Sequence, residues 1–137
     1  MEVKKYDSSL EGLWEEFVLQ SNNGTIFNLR RFLSYHKVRK FEDHSLCFLK
    51  NRKIFALFPA AELYDREEKK LLVSHPGASY GGIITKKNIG IKNTLSVVEK
   101  LIEYTRKNSF DKLIITMAPF IYHTYMNNYV DFALYTR

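Results

Sequence analysis

The sequence has one cysteine, three prolines and six glycines in 137 residues. A single cysteine cannot form an intramolecular disulfide and leaves no second thiol for a cysteine-based zinc site. Cys47 lies in the apolar run 46–49, which favours a buried, unreactive thiol over a nucleophile. No two histidines have the spacing of a metal-binding motif, so we expect no metal site.

Long apolar stretches are absent as well. No run approaches the roughly 18 consecutive apolar residues from which a membrane-spanning helix is inferred. Residues 1–6 (MEVKKY) lack the apolar core of a secretion signal. We therefore expect a cytoplasmic protein without a membrane span.

The composition favours one folded domain. Hydrophobic residues make up 45% of the chain and aromatic residues 15%, which is enough for a compact core over residues 1–137. Lysine and arginine outnumber aspartate and glutamate by 21 to 15, giving a net charge of +6. This charge could attract phosphates, nucleic acid or anionic lipid, but the basic residues are dispersed, so a solvated surface is the simpler interpretation.

Three helices follow from apolar spacing. Ser8 and Glu11 have capping-box spacing before a helix predicted at 9–20, and a short helix is expected at about 28–35. The third helix spans 93–108, with Asn93 as its N-cap and basic residues in its last turn. The residues predicted to form the buried face of the first helix are Leu10, Leu13, Trp14, Phe17 and Val18; those of the third are Leu95, Val98, Leu101, Ile102 and Thr105.

Short apolar runs predict strands. Runs 46–50 and 53–58 flank Asn51-Arg52, which is typical of a tight hairpin, and Pro59 ends the second run. Further strands are expected at 71–74 and 82–85. The β-branched run 113–117 is typical of a central strand buried on both faces. Pro119 predicts a helix at 120–127, and alternation at 130–135 predicts a final strand.

The segment 75–82, HPGASYGG, indicates a designed bend before the third helix. Glycine is used where the backbone needs a positive φ or where another group comes close, and Pro76 fixes the approach. Such a bend beside aromatic and polar side chains is a candidate binding cleft. Its predicted substrate-binding residues are His75, Ser79, Tyr80, Gly81 and Gly82.

The order of these elements resembles the GNAT acyltransferase fold. Within this superfamily the amino-acid sequence is most similar to one domain of the Fem-type peptidoglycan aminoacyl transferases and their bacterial relatives. The resembling residues are 14–18 with 24–27, 54–59, 75–82 and 119–122. The resemblance implies an α/β (α+β) fold with a mixed, twisted, mostly antiparallel sheet flanked by helices on both faces. It also implies an acyl or aminoacyl transferase domain acting on an amine acceptor.

GNAT enzymes hold the pyrophosphate of coenzyme A on a Gln/Arg-x-x-Gly-x-Gly/Ala loop at the start of the long helix. The corresponding residues here are Lys87, Gly90 and Lys92, and only the glycine at 90 matches. Helix N-termini attract phosphates because their N–H groups are unpaired. The resemblance therefore implies a degenerate phosphate loop for an acyl donor, either acyl-coenzyme A or aminoacyl-tRNA. A solvated basic loop is the plainer alternative.

Acyl transfer to an amine needs a base for the nucleophile and an acid for the leaving group. The resemblance places a tyrosine acid in or near the helix after the 113–117 strand, where Tyr122 and Tyr125 are the candidates. His123 could act as a base near neutral pH, as could His75 beside the bend. We expect Tyr80 and Tyr122 to face one shared pocket. The alternative is that these tyrosines only pack in the core or lie on the surface, since the chain has nine tyrosines.

Several alternatives stay open. Fem-type proteins resemble two such domains in tandem, so the chain is expected to be the N-terminal part of a longer protein with a second GNAT-like domain C-terminal to it. The domain could be catalytic, or it could be a non-catalytic half that positions substrate. Two other classes of function are considered. One is a module that contacts nucleic acid (tRNA), and the other is a structural domain that forms homo-oligomers through its terminal strand.

Overall fold

The computed structural model describes residues 1–34, 42–76, 78 and 80–137. Within these residues the chain forms eight strands and four α-helices. In chain order they are β1 (Glu2–Lys5), α1 (Glu11–Gln20), α2 (Arg30–Leu33), β2 (Glu42–Asp43), β3 (Leu46–Lys50), β4 (Lys53–Phe58), β5 (Ala60–Tyr64), β6 (Lys70–Ser74), β7 (Ile84–Thr85), α3 (Ile91–Lys107), β8 (Lys112–Ile114) and α4 (Tyr129–Tyr135). Short 3-10 turns occur at Ser8–Leu10, Ile26–Asn28 and Phe120–Tyr122.

The strands form two four-stranded sheets, ordered β1-β3-β4-β7 and β2-β5-β6-β8. The chain passes from the first sheet to the second across Pro59, between β4 and β5. All neighbours are antiparallel except β6 and β8, which flank α3 in sequence and run parallel. The predicted mixed, mostly antiparallel sheet is confirmed.

Helices cover both faces of the first sheet. One apolar cluster joins α1 and α2 to one face, and a larger cluster joins α3 and α4 to the other. The helix residues in the first cluster are Trp14, Val18 and Leu33, and those in the second are Val97, Val98, Leu101, Val130 and Ala133. The three-layer arrangement implied by the resemblance is therefore present.

The predicted hairpin is confirmed. Asn51 and Arg52 have φ values of 52° and 63° and connect β3 to β4. Two successive left-handed residues are characteristic of the type I′ turn, whose twist matches that of the strands. The residues on either side of this turn are therefore held in a fixed orientation.

The helix starts differ slightly from the prediction. α1 begins at Glu11 after a 3-10 turn that is capped by Asp7, whose carboxylate accepts from the backbone N–H of Ser9 at 2.9 Å. α3 begins at Ile91 with Gly90 at the N-cap, because the side chain of Asn93 instead donates back to the carbonyl of Ile89. The part of the predicted short helix beyond residue 34 lies outside the described residues.

The prediction of a central strand at 113–117 is wrong. β8 pairs with β6 on one side only and stands at the edge of its sheet. Ile114 is 44% exposed. A continuous apolar run is compatible with burial on both faces, but only the order of the strands decides which strand becomes the edge.

The predicted strand at 130–135 is also wrong, because these residues form α4. Val130 and Ala133, three residues apart, are the buried pair that packs on α3, while Phe132 faces solvent. The alternation in this segment is incidental, and the strand through which the sequence analysis considers a homo-oligomer is a helix. The predicted helix at 120–127 is limited to one 3-10 turn.

Three strands were not predicted. β1 is charged, as is common at a sheet edge, and β2 has only two residues. β5 contains Ala60, Ala61 and Glu62, which have low strand propensity. It forms because β2 and β6 pair with it on either side.

Cys47 is buried, and burial raises the pKa of its thiol to about 12. The prediction of an unreactive thiol is therefore confirmed. In the part of the chain that the structure describes, no helix is long and apolar enough to cross a membrane.

A pair of alanine substitutions distinguishes the core from the sheet edge. Leu101 is fully buried, so Leu101→Ala should lower the free energy of unfolding by about 2–5 kcal/mol. Ile114→Ala should cost less than about half of that, because much of the side chain stays in water in the folded state. Urea unfolding of both variants measures the difference. Equal losses would contradict the edge position of β8.

Candidate active site

The glycine bend lies where the chain leaves β6 to reach β7. The hydroxyl oxygen of Ser74 accepts from the N–H of Thr116 at 2.9 Å and from that of Gly82 at 3.3 Å. The N–H of Gly81 donates to the carbonyl of Thr116 at 3.0 Å. These bonds fasten the bend to the segment that follows β8.

Both described glycines of the bend are required by the backbone. A Cβ at Gly81 would lie 2.6 Å from the Cβ of Ser74. Gly82 has a φ of +63°, and a Cβ there would approach the sulfur of Met117 to 3.1 Å. The close approach and the positive φ inferred from the sequence are confirmed at these positions. Gly77 and Ser79 lie outside the described residues.

The outer edge of β7, away from β4, is occupied by two buried asparagines. The side chain of Asn23 donates to the carbonyl of Ile83 at 2.8 Å and accepts from the N–H of Thr85 at 2.9 Å. The backbone N–H of Asn22 donates to the carbonyl of Thr85 at 2.9 Å. The loop after α1 therefore takes the place that a neighbouring strand would have.

Asn22 also holds the segment that carries the candidate tyrosines. Its side chain accepts from the N–H of Tyr125 at 2.7 Å and donates to the carbonyl of Tyr125 at 3.0 Å. Its backbone carbonyl accepts from the N–H of Thr124 at 2.8 Å. Residues 124 and 125 are thus fixed beside β7, although they have no regular secondary structure.

Tyr80 and Tyr122, which the sequence analysis expects to face one shared pocket, are in contact. Their ring centroids lie 5.6 Å apart, and the ring centroids of Phe27 and Tyr80 lie 5.8 Å apart. Tyr122 is 47% exposed and Tyr80 is half-buried. The three rings form an aromatic wall that is open to solvent at Tyr122, which suits an apolar or aromatic ligand surface with phenol hydrogen bonds.

His123 follows this wall directly. Neither ring nitrogen has a hydrogen-bond partner among the described residues, although both are shielded from solvent. Burial lowers the pKa of the imidazole below its ordinary value of 6.5, and the carboxylate of Asp131 opposes this shift. The lowered pKa favours the neutral imidazole, which is the form that can accept a proton.

His75 is placed elsewhere. It is 3% exposed, and its Nε2 lies 3.6 Å from the carboxylate of Asp43. Asp43 also pairs with Arg30, whose guanidinium lies 3.8 Å from the centre of the Tyr6 ring. The structure buries His75 in this charged cluster and not on the open surface beside Tyr80.

The loop between β7 and α3 brings together most of the predicted phosphate site. A groove of about 350 Å³ unites Lys87 and Gly90 with Tyr125. Gly90 has a φ of +72° and a Cβ there would meet nothing within 4 Å, so the space above this backbone is open. The remaining lining residues are Asn88, Met126, Asn127 and Tyr129. Lys92 is exposed and does not line this groove.

The sequence analysis missed the structural partners of the site. It assigns no role in the site to Asn22, Asn23 or Phe27. Two adjacent asparagines after a helix can signal side-chain to backbone hydrogen bonds. Their partners at 83–85 and 124–125 are remote in sequence, so the pattern alone could not have identified them.

No protein-family model and no curated protein sequence matches this chain significantly. Solved structures do match it. The aminoglycoside antibiotic 6'-N-acetyltransferase AAC(6')-IG from Acinetobacter haemolyticus is 11% identical, with a TM-score of 0.54, and the match covers 99% of this chain and 88% of that chain. A GNAT family acetyltransferase from Staphylococcus aureus is 11% identical, with a TM-score of 0.56 and coverages of 93% and 92%. The protein TTHA1254 from Thermus thermophilus is 9% identical, with a TM-score of 0.57 and coverages of 99% and 86%.

These matches show that the chain has the GNAT fold. The fold class predicted from the sequence is therefore confirmed. A similarity at this level of identity concerns the fold alone, and the particular resemblance to Fem-type proteins stays a prediction.

Asn23→Ala should lower the free energy of unfolding more than most substitutions in a loop do. It leaves the carbonyl of Ile83 and the N–H of Thr85 without partners in a buried place, and an unsatisfied buried group costs about 1–3 kcal/mol. Urea unfolding measures the loss. Gln20→Ala, at an exposed position near the same loop, is the control and should change little. Equal midpoints for the two variants would show that Asn23 does not hold β7.

Proposed function

We propose that this chain is an acyl-transfer domain that moves an acyl or aminoacyl group from a phosphate-bearing donor to an amine acceptor. The observation that carries the proposal is the groove in which Lys87 and Gly90, at the start of α3, meet Tyr125. The segment that carries Tyr125 also carries Tyr122 of the aromatic wall and His123, whose ring nitrogens have no hydrogen-bond partner among the described residues. The GNAT fold of the chain supports this reaction class.

The donor's phosphate binds at the start of α3. Gly90 precedes a helix of 17 residues, whose first N–H groups point out of the helix, and no side chain caps them. The ammonium of Lys87 adds a positive charge at the same groove. Both features favour an anion, and the absence of a Cβ at residue 90 lets it approach the backbone.

The acceptor lies toward the aromatic wall of Phe27, Tyr80 and Tyr122. Transfer forms a bond between the amine nitrogen and the acyl carbon, and it breaks the C–S bond of a thioester or the C–O bond of an aminoacyl ester. His123 accepts the proton that the amine loses. Tyr125, in the groove, donates a proton to the leaving sulfur or oxygen.

One surface supports the predicted second domain. Ile121 and Met126 are large, 85% and 80% exposed, and both lie in the C-terminal segment. Large apolar side chains exposed in one segment favour an interaction site. We propose that a second domain of the same fold packs against this segment.

The role of His123 predicts a pH profile. A base must be neutral to accept a proton, and the pKa of His123 lies below 6.5, so the rate should be constant above that value and fall as the pH drops through the lowered pKa. Transfer from acetyl-coenzyme A and from an aminoacyl-tRNA to a panel of amines, followed by mass spectrometry, measures the rate. His123→Gln should reduce kcat and remove the acidic limb.

Tyr135→Phe is the matched control, because Tyr135 is 92% exposed and does not line the groove. It should retain the wild-type rate and profile. Failure to detect transfer from both donors to every amine would contradict the proposed activity. An unchanged pH profile in His123→Gln would remove this residue from the reaction.

Acetyl-coenzyme A should bind the isolated chain weakly. The backbone groups at the outer edge of β7 already bond to Asn22 and Asn23, so an extended ligand cannot pair with them. The exposed ammonium of Lys92 also stands where the GNAT pattern has Gly or Ala. Titration calorimetry should give a dissociation constant above the low micromolar range. Low micromolar binding would contradict this prediction and indicate a self-sufficient acetyltransferase.

A further inference from the structure

A second and larger groove lies on the α1 side of loop 86–90, whereas the groove of the proposed reaction lies on the side of residues 125–129. Its volume is about 640 Å³, within the range of small-molecule sites. Three elements form its walls: α1, the β3–β4 hairpin and the β7–α3 loop. The lining residues are Leu13, Glu16, Phe17, Gln20, Ser21, Arg52, Lys53, Ile54, Lys86, Lys87 and Asn88.

The floor of this groove is apolar. Leu13, Phe17 and Ile54 line it. The sequence predicts that Leu13 belongs to the buried face of its helix, yet it is 53% exposed. The described chain therefore leaves about half of this side chain uncovered, and the groove contains exposed apolar surface.

The rim of the groove is basic on two opposite walls. Arg52 and Lys53 come from the hairpin, and Lys86 and Lys87 come from the loop. Glu16 is the one carboxylate among the lining residues, which leaves an excess of three positive charges. None of the four cations forms an ion pair within the described residues.

Both basic walls are anchored. Arg52 belongs to the rigid type I′ turn. The ammonium of Lys86 lies 4.8 Å from the centre of the Phe55 ring, and Ile89 is buried in the core at the end of the loop. The backbone that carries these cations is therefore held in place, and their four exposed side chains are accessible to an anion.

We propose that this groove binds a small, soluble, amphipathic phosphomonoester. Its apolar chain or ring lies on Leu13, Phe17 and Ile54, and its phosphate lies between the hairpin and the loop. A phosphomonoester carries a charge of about −1.5 to −2 at pH 7, which matches the excess of cations better than a carboxylate does. The cations and the apolar side chains line one groove of about 640 Å³, a small-molecule volume, which favours a free molecule over a bilayer surface.

Titration calorimetry with octyl phosphate, kept below its critical micelle concentration, tests the site on the full chain. Octyl phosphate should bind at least about fivefold more tightly than octyl glucoside, octanoate or inorganic phosphate, because each of these lacks part of the recognised chemistry. In a separate experiment, vesicles of phosphatidylcholine with phosphatidylglycerol are titrated into the protein, and we expect no binding.

Two matched pairs of variants locate the site. Leu13→Asp places a carboxylate in the groove and should weaken binding at least about fivefold. Leu19→Asp is its control, since Leu19 is on the same helix, is 72% exposed and does not line the groove. Lys53→Gln should weaken binding, whereas Lys69→Gln, on the distant β5–β6 turn, should not. Circular dichroism checks that the variants are folded.

Equal affinity for octyl phosphate and octyl glucoside would overturn the proposal, as would equal effects of Leu13→Asp and Leu19→Asp. Binding to the vesicles alone would overturn it in favour of a lipid surface. Absence of binding in both experiments would also overturn it. Activity of the proposed transferase does not enter these measurements, so either proposal can fail without the other.

Discussion

Asn22 and Asn23 occupy the edge of β7 that faces away from β4, and they join β7 to the segment that carries Tyr125. Their hydrogen bonds replace a strand on one side and hold Thr124 and Tyr125 on the other. Buried polar groups on a strand edge must be satisfied, because each one left unpaired costs about 1–3 kcal/mol. A loop and an irregular segment can therefore be as fixed here as the sheet itself.

The need for this loop arises where the two sheets separate. β8 follows β6 as a parallel neighbour and never pairs with β7. Ser74 bonds to both diverging segments at that point, and the adjacent glycines allow the close approach. The divergence leaves β7 without a second strand. The loop after α1 fills that edge, and the end of β7 leads into the β7–α3 loop, on whose two sides the grooves lie.

The charges divide between two kinds of environment. Arg30 is buried, paired with Asp43 and packed on aromatic rings, as a charge inside a protein must be. The cations at the β3–β4 hairpin and the β7–α3 loop have no carboxylate partner within the described chain, although Lys86 lies over the Phe55 ring. A buried charge that is fully satisfied contributes to the fold, whereas a fixed, unpaired cation beside a groove is available to a ligand. The net charge of the sequence does not separate these two groups.

The sequence by itself determined the long helix, the β3–β4 hairpin and the need for glycine at 81 and 82, because each depends on spacing or backbone conformation within a few residues. Together with the element order, these supported the resemblance to the GNAT fold, which implied that Tyr80 and Tyr122 lie near each other. Only the tertiary structure decided that 113–117 lies at an edge, that 130–135 is a helix and that Asn22 and Asn23 support the site. Each of these depends on partners distant in the chain, and an apolar run or a pair of asparagines does not specify what it will pack against.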